Sequence, residues 1–175
     1  SIFTAPVNGM LGVVDKVGNV LRATPLKGAR CTNEGAVFDG VDDYFDIDDW
    51  NWGGALSIET YVKFTSTASY ARIVDFASGP GSNNVIVARQ GTSATLCWEV
   101  FQGATGKSLP APAIETNRWL HVVTTIAGTT AKVYVDGRLM GTKTDAQEPL
   151  LLTRTGHYVG KSHWPYDGHF EGTVA

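Results

Sequence analysis

A cluster of aspartates stands out in the first third of the chain. Six of the 17 acidic residues fall between positions 39 and 49, within the stretch AVFDGVDDYFDIDDW (36–50). Calcium takes six to eight oxygen ligands from carboxylates and turn carbonyls, and the segment FDGVDDY offers both. The candidate ligands are the carboxylates of Asp39, Asp42 and Asp43 and the backbone of Gly40. The residue types alone leave open a solvated turn in which aspartates cap local N–H groups.

Aromatic residues in loop-like stretches form a second candidate site. Sugars stack their apolar C–H faces on aromatic rings, while neighbouring polar groups bind the hydroxyls. The stretch SHWPYDGH (162–169) holds the densest group of this kind. The predicted ligand-binding residues are Trp52, Tyr70, His163, Trp164, Tyr166 and Asp167. The alternative is that these rings fold back and cover the ends of the domain.

Two tryptophans lie in strand-like patterns instead, and we expect both Trp98 and Trp119 in the core. The stretch LCWEVFQ around Trp98 is apolar on both faces of a strand. One of its rings is therefore available to line the exposed face of a sheet.

The acidic residues and histidines show no catalytic or zinc pattern. The sequence has no G-x-S-x-G elbow, H-E-x-x-H motif or P-loop. Glu59 and Glu99 lie on predicted strands that could face one groove, but each lacks the adjacent second carboxylate of a glycosidase, and Asp75 is alone. His157, His163 and His169 are six residues apart, a spacing without a zinc motif. We therefore expect no enzyme activity.

Composition narrows the class of protein further. A net charge of −3 with scattered basic residues argues against nucleic acid as a partner. No apolar run approaches the roughly 18 residues of a membrane span. Two cysteines, Cys31 and Cys97, are compatible with one disulfide or with two free thiols. The chain begins with Ser1, which we expect of a piece of a longer polypeptide.

Short alternating runs separated by turn residues predict an all-β protein. In LSIETYVKF (56–64) alternate residues would share one face, and similar runs follow at 70–77, 84–90 and 94–103. Asp136-Gly137 predicts a two-residue primed turn between KVYV and RLMGT. A final strand is predicted in GHYVGKS (156–162). About ten short strands predict one antiparallel two-sheet sandwich.

Several of these segments resemble a known family. AVFDGVDDYFDI, then RWLHVV and KVYVDG, then HYVGKSHWPYDGHFEGTVA are similar to the laminin-G-like domains of the concanavalin A-like superfamily. The resemblance extends from about residue 15 to residue 175. It implies an antiparallel two-sheet jelly-roll β-sandwich formed by a single domain, 1–175, that lacks the usual last strand.

The resemblance also implies a function. It favours a noncatalytic extracellular recognition module that binds carbohydrate, with a structural calcium ion. Asp15 and Asn19 match the family's early loop and are implied as distant calcium ligands. The alternative is a protein-interaction or adhesion module of a larger secreted or surface protein, completed by a strand from another chain.

Overall fold

The structure is a computed structural model that describes residues 4–7, 10–14 and 20–175, with side chains from Leu21 onward. The described residues form 18 strands and no helix. In chain order the strands are β1 (Thr4–Val7), β2 (Met10–Val14), β3 (Val20–Leu26), β4 (Arg30–Thr32), β5 (Gly35–Asp39), β6 (Tyr44–Ile47), β7 (Trp50–Trp52), β8 (Leu56–Phe64), β9 (Arg72–Ala77), β10 (Val85–Arg89), β11 (Thr95–Gln102), β12 (Thr105–Pro112), β13 (Trp119–Ala127), β14 (Thr130–Val135), β15 (Arg138–Lys143), β16 (Leu152–Arg154), β17 (Gly156–Val159) and β18 (Glu171–Val174).

Two large antiparallel sheets form a sandwich. The nine-stranded sheet has the order β1-β2-β3-β6-β17-β9-β10-β11-β12, and the seven-stranded sheet has the order β15-β14-β13-β8-β18-β5-β4. A small third sheet pairs β16 with β7. The predicted all-β jelly-roll sandwich is confirmed. The predicted number of strands was too low, because strands of three residues such as β4 and β7 are too short to show alternation.

Alternation is clearest in the seven-stranded sheet. Along β8, Ile58, Val62 and Phe64 are buried, whereas Glu59 and Tyr61 are exposed. The predicted hairpin is also present: β14 pairs with β15 through Asp136 and Gly137, whose φ angles are 50° and 75°. Positive φ at both central residues is the signature of a type I′ turn. The alternation along β8 shows that the outer face of this sheet is open to solvent.

The core lies between the two sheets and is rich in aromatic residues. Phe38 makes edge-to-face contacts with Phe45 and Phe170, whose ring centroids lie 5.7 and 5.5 Å away. Trp98 is only 1% exposed, so its prediction as a core residue is confirmed. The same prediction for Trp119 was wrong. Trp119 is half-buried on the outer face of the seven-stranded sheet, with Lys63 Nζ 5.2 Å from its ring centroid.

Strands β9 and β10 of the nine-stranded sheet are buried on both sides. Their inner faces contact the core, and the segment 161–169, called the covering segment below, contacts Arg72 and Asp75 on the outer face of β9. A β-bulge interrupts β9, because Val87 pairs with Val74 whereas Ala88 pairs with Arg72. A bulge shifts the alternation by one residue. It therefore brings Arg72 and Asp75 to the same outer face, although they are three positions apart.

The end of the chain lies inside the seven-stranded sheet. Strand β18 runs between β5 and β8, and Ala175 exchanges both backbone hydrogen bonds with Tyr61 (2.8 and 2.9 Å). Among the described strands, none pairs with residues 56–60 of β8 on this side. Cys31 and Cys97 are both free thiols. In the described part of the chain there is no helix of the length and apolarity that a membrane span requires.

Candidate functional site

A buried ionic network lies beneath the covering segment. Arg72 Nη2 donates to Asp167 Oδ2 (2.7 Å), and Arg72 Nε lies 3.8 Å from Asp75 Oδ2. Asp75 is fully buried and accepts hydrogen bonds from Asn84 Nδ2 (2.8 Å) and the backbone N–H of His163 (3.1 Å). The network ties the covering segment to β9. It thereby fixes the position of the aromatic residues that this segment carries.

Two aromatic rings flank the Arg72 guanidinium. The ring centroids of Trp164 and Tyr70 lie 5.3 and 5.9 Å from Arg72 Cζ. Tyr70 is 46% exposed and has a φ of 55°, a left-handed conformation that costs energy in a bulky residue. Backbone strain of this kind is concentrated at functional sites. The rings and the guanidinium together form a partly exposed aromatic surface with a cationic centre.

Glu99 and Phe101 extend this surface onto β11. The Phe101 ring centroid lies 5.9 Å from that of Trp164, and Glu99 lies two residues earlier on the same face of the strand. Burial raises the pKa of the half-buried Glu99 carboxyl, with a further contribution from Asp75 and an opposing one from Arg72. The Glu99 carboxylate is thus close enough to Arg72 and Asp75 for their charges to act on it, and it can accept hydrogen bonds. We call Tyr70, Arg72, Glu99, Phe101 and Trp164 the Arg72 cluster.

A second group of aromatic residues lies on β6 and β17, at the other side of the covering segment. The rings of Tyr44 and Tyr158 lie 5.5 Å apart, and Lys161 Nζ lies 4.1 and 4.8 Å from their centroids. The ring of His163 stacks on Tyr158 at 4.4 Å. Asp46, which is opposite Tyr158 in the sheet register, completes the group. Burial raises the pKa of Asp46, as does nearby Asp49.

The structure brings four of the predicted ligand-binding residues together. Tyr70, His163, Trp164 and Asp167 all surround Arg72 and Asp75. Tyr166 is carried by the same segment and is 98% exposed.

Trp52 is not part of this group. Its indole Nε1 donates to His157 Nε2 (2.9 Å), and the ring packs against the core next to Trp50. Arg154, whose Cζ lies 4.2 Å from the Trp52 ring centroid, is fully buried and donates to three backbone carbonyls. These residues close one end of the sandwich.

Sequence reasoning missed Arg72, and it misjudged two carboxylates. Arg72 lies in a strand whose other residues are apolar or acidic, so an arginine there is the one signal of a buried ion pair. Glu59 and Glu99 do not face one groove: Glu59 lies on the outer face of the seven-stranded sheet, and Glu99 on that of the nine-stranded sheet. The ring that LCWEVFQ supplies to an exposed face is Phe101.

Two carboxylates do align across the sheet, since Asp75 and Glu99 are both opposite Ile86 of β10. Two strand spacings separate them, about 9.5 Å. However, Asp75 is fully buried, and its oxygens already accept hydrogen bonds from Asn84 and His163. Asp75 is not placed to contact the anomeric carbon of a substrate, as a glycosidase mechanism requires.

The predicted calcium ligands meet in the turn between β5 and β6. Carboxylate oxygens of Asp39, Asp42 and Asp43 all lie within 4.8 Å of one another. Asp39 Oδ1 accepts from the backbone N–H of Val41 (2.8 Å), and Asp43 Oδ2 accepts from that of Asp39 (3.0 Å). Gly40 has a φ of 79°, which this tight turn requires. Asp15 and Asn19 lie outside the described residues.

One oxygen of this turn has an unusual environment. Asp43 is 2% exposed, and its Oδ1 is buried without a hydrogen-bond partner among the described residues. A Cβ at Gly28 would lie 2.6 Å from this oxygen, so only glycine leaves the space free. Burial raises the pKa of Asp43, and the charges of Asp39 and Asp42 add to the effect. A hard cation would satisfy this oxygen and neutralise the group, so the residues fit calcium.

A separate groove of about 410 Å³ lies between the end of β12 and the β14–β15 turn. Ile114, Val135 and Met140 form part of its apolar floor. Its rim is balanced in charge, because Arg118 and Arg138 lie beside two carboxylates, and Arg118 pairs with both of these, Glu115 and Asp136 (2.8 and 2.6 Å). The groove contains none of the predicted ligand-binding residues.

Comparisons with known proteins agree with this architecture. A family model described as the concanavalin A-like lectin/glucanases superfamily matches residues 39–175. No curated protein matches the chain in sequence.

Several solved structures share the fold. Domain 4 of AbnA, a GH43 extracellular arabinanase from Geobacillus stearothermophilus solved with arabinotriose, is similar over 96% of this chain and 73% of that one, with 16% identity and a TM-score of 0.67. The carbohydrate-binding module CBM66 from Bacillus subtilis is similar over 87% and 94%, with 18% identity and a TM-score of 0.52. Domains LG4–5 of the mouse laminin α1 chain are similar over 83% and 41%, with 16% identity and a TM-score of 0.58. At these identities the likeness shows the fold alone.

Proposed function

The chain belongs to the concanavalin A-like lectin/glucanase superfamily, and we propose that it is a noncatalytic secreted or cell-surface module that binds glycans on the outer face of its nine-stranded sheet. Two structural neighbours, one a carbohydrate-binding module and one solved with arabinotriose, support the class of ligand. The contacts of this chain's own residues support the location of the site.

The Arg72 cluster is the observation that carries the proposal. A sugar site needs an aromatic surface, a donor and an acceptor within a few ångströms. Trp164 and Tyr70 supply the rings, and both are partly exposed. Arg72 donates through Nε and Nη2 to Ser162 and Asp167, which leaves Nη1 as a donor for a ligand. Glu99 is the acceptor.

Rigidity also supports the proposal. Ser162 Oγ donates to Asp167 Oδ2 (2.7 Å) and accepts from the backbone N–H of Trp164 (3.1 Å). The backbone N–H of Gly168 donates to the carbonyl of Ser69 (2.7 Å), which links the covering segment to the loop that carries Tyr70. Side chains held in place before binding lose little entropy when the ligand arrives.

A glycan array tests the proposal, with the purified protein probed in millimolar calcium and again in chelator. We expect binding to one coherent class of sugar. Trp164→Ala should then weaken binding at least tenfold, about 1.4 kcal/mol, because the ring stacks on the ligand. The melting temperature should fall by a few degrees at most, since the ring is only half-buried.

Trp119→Ala is the matched control. Trp119 is also half-buried and also has a cation over its ring, but it lies on the other sheet. Its removal should leave glycan binding unchanged. Equal loss of binding in both variants, or no binding by the unaltered protein to any glycan, would overturn the proposed function.

Calcium is part of the proposal as a structural ion. Asp39, Asp42 and Asp43 would hold it. The ion would give Asp43 Oδ1 the partner that this buried oxygen lacks among the described residues. When bound, calcium supplies positive charge that the three carboxylates otherwise lack. The turn lies next to the start of the covering segment, because a Cβ at Gly160 would lie 2.5 Å from the Phe38 ring and 3.3 Å from the Asp43 carbonyl oxygen. The bound ion would therefore stabilise the position of the covering segment.

A further inference from the structure

The outer face of the nine-stranded sheet is negatively charged. In the described part of the chain, the carboxylates on and over this face outnumber the cations by six to three. The carboxylates are those of Asp46, Asp48, Asp49, Asp75, Glu99 and Asp167, and the cations are Arg22, Arg72 and Lys161. The excess equals the net charge of −3 of the whole chain, so the remainder of the molecule is balanced while this face is not.

Arg72 and Lys161 each lie beside carboxylates of the protein, so neither adds net positive charge where a ligand would bind, although Arg72 Nη1 keeps an N–H to donate. Arg72 is 8% exposed and lies between Asp75 and Asp167, with the shorter contact, 2.7 Å, to Asp167. Lys161 Nζ lies over the rings of Tyr44 and Tyr158. The guanidinium of Arg72 thus pairs with carboxylates of the protein, and the ammonium of Lys161 interacts with two of its aromatic rings.

Among the carboxylates of this face, that of Glu99 has the most capacity left to accept hydrogen bonds from a ligand. Only burial and the charges of Arg72 and Asp75 act on it, and no hydrogen bond from the described residues does. The same negative charges act on Tyr158 at the other end of the face. Its pKa is raised by burial first, and then by Asp46, Asp75 and Asp49 among others.

We propose that this face selects uncharged glycans and discriminates against glycans that carry carboxylate or sulfate groups. The inference rests on the proposed function, and it adds the class of sugar. The hydroxyl groups of a neutral sugar donate hydrogen bonds to Glu99, and the C–H faces of the sugar ring stack on Trp164 and Tyr70. A sugar carboxylate in the same place would lie within several ångströms of Glu99 and Asp167, where Asp75 and Asp167 already compensate the charge of Arg72, and like charges at that distance repel in a partly buried site.

The test compares one glycan backbone in two charge states. The probes are the neutral polysaccharides that bind on the array, and the same polysaccharides after oxidation of their primary hydroxyls to carboxylates. Biolayer interferometry at 20 and 500 mM salt measures both. We expect the oxidised form to bind at least about tenfold more weakly at low salt, and the difference to shrink at high salt as the charges are screened.

Two variants assign the effect to this face. Glu99→Gln should narrow the ratio between neutral and oxidised probes by about threefold or more. Glu34→Gln, a control at an exposed turn of the seven-stranded sheet, should leave the ratio unchanged. Comparison of the ratio, rather than of each affinity, separates charge discrimination from a general loss of binding.

The outcomes are distinct. Equal or tighter binding of the oxidised probes, or a preference for sulfated and uronate glycans on the array, would overturn the charge inference but leave glycan binding intact. A ratio that does not change with salt or with Glu99→Gln would also overturn it. Silence with every glycan would overturn the proposed function and this inference together.

Discussion

The outer faces of the two sheets carry similar side chains in different surroundings. On the nine-stranded sheet a cation, Arg72, lies 5.3 Å from the ring of Trp164, and on the seven-stranded sheet Lys63 lies 5.2 Å from that of Trp119. Each face also has a carboxylate near a histidine. Asp75 Oδ1 lies 3.2 Å from His163 Nδ1, and Glu59 Oε1 lies 2.8 Å from His121 Nε2.

The difference lies in what covers each pair. Asp75 has no exposed surface because the covering segment packs over it, whereas the side chain of Glu59 is 55% exposed. Water screens the pair on the seven-stranded sheet, and such pairs contribute little to stability. The same contact without water must be satisfied completely or it destabilises the fold. Hence the pair under the covering segment is a buried ionic network, whereas the pair on the seven-stranded sheet is an ordinary surface contact.

The largest predicted difference between the faces concerns their carboxylates. Asp75→Asn should lower the free energy of unfolding by about 3 kcal/mol, because it leaves Arg72 with less compensating charge and places an amide against two buried donors. Glu59→Gln should lower it by less than about 1 kcal/mol. Guanidinium unfolding at pH 7 measures both. Equal costs would show that the covering segment does not exclude water from Asp75.

How much of this comparison the sequence predicts depends on the range of the interactions. The alternation of β8 and the Asp136-Gly137 turn are local patterns, and both were predicted correctly. The partnership of Arg72 with Asp75 depends on a bulge in β9 that reverses the facing of half a strand, and no local pattern marks it. The opposite placement of Glu59 and Glu99 depends on which sheet each strand joins, which is a property of the whole fold. The proximity of the three carboxylates in the Asp39–Asp43 turn was predictable because these residues are close in sequence.

A second prediction compares a histidine from each sheet. His157 of β17 is fully buried against Trp50, with ring centroids 3.7 Å apart. Burial, then the charges of Arg154 and His163, lower its pKa to about 3. Below its usual pKa the unfolded chain binds a proton that the folded protein does not, so stability present at high pH is lost as the pH falls from about 6.5 towards 3. We expect a loss of about 2 kcal/mol between pH 8 and pH 5 from this residue.

His157→Gln removes the titrating group and should reduce this loss. The amide can still accept the hydrogen bond from Trp52 Nε1. His121→Gln, on the outer face of the seven-stranded sheet, is the control and should leave the pH dependence of unfolding close to that of the unaltered protein. An identical pH profile in all three proteins would contradict the buried, neutral state of His157.

A third prediction concerns the turn that joins the two sheets, between β5 and β6. Without a cation, the raised pKa of Asp43 means that the folded protein holds a proton longer than the unfolded chain. Its contribution to stability therefore decreases as the pH rises through and above the usual value of 3.8. Asp43→Asn removes the buried charge and should raise stability in chelator by about 1 kcal/mol.

Calcium should then distinguish the two proteins. It should raise the melting temperature of the unaltered protein and leave that of Asp43→Asn nearly unchanged. Asp49→Asn, which alters an exposed carboxylate of the same acidic stretch, should keep the calcium response. Melting curves that are the same with excess chelator and with calcium would remove the ion from the proposal.

The smallest expected effect concerns one tyrosine from each face. Tyr70 has a φ of 55° and Tyr61 lies within strand β8. Asparagine tolerates the left-handed conformation far better than tyrosine but is a poor strand residue. Tyr70→Asn should therefore raise the free energy of unfolding by about 0.5 kcal/mol, whereas Tyr61→Asn should lower it by about the same amount.

Glycan binding by the two variants tests whether the strain at Tyr70 has a functional reason. If the strain at Tyr70 is maintained because its ring contacts the ligand, the more stable variant should also be the one that binds more weakly, by about threefold to tenfold. Tyr61→Asn should reduce stability and leave binding unchanged. A Tyr70→Asn protein that is both more stable and fully competent to bind would leave the strained backbone at this position without a functional reason, and would place the sugar on the Tyr44–Tyr158 side of the covering segment instead.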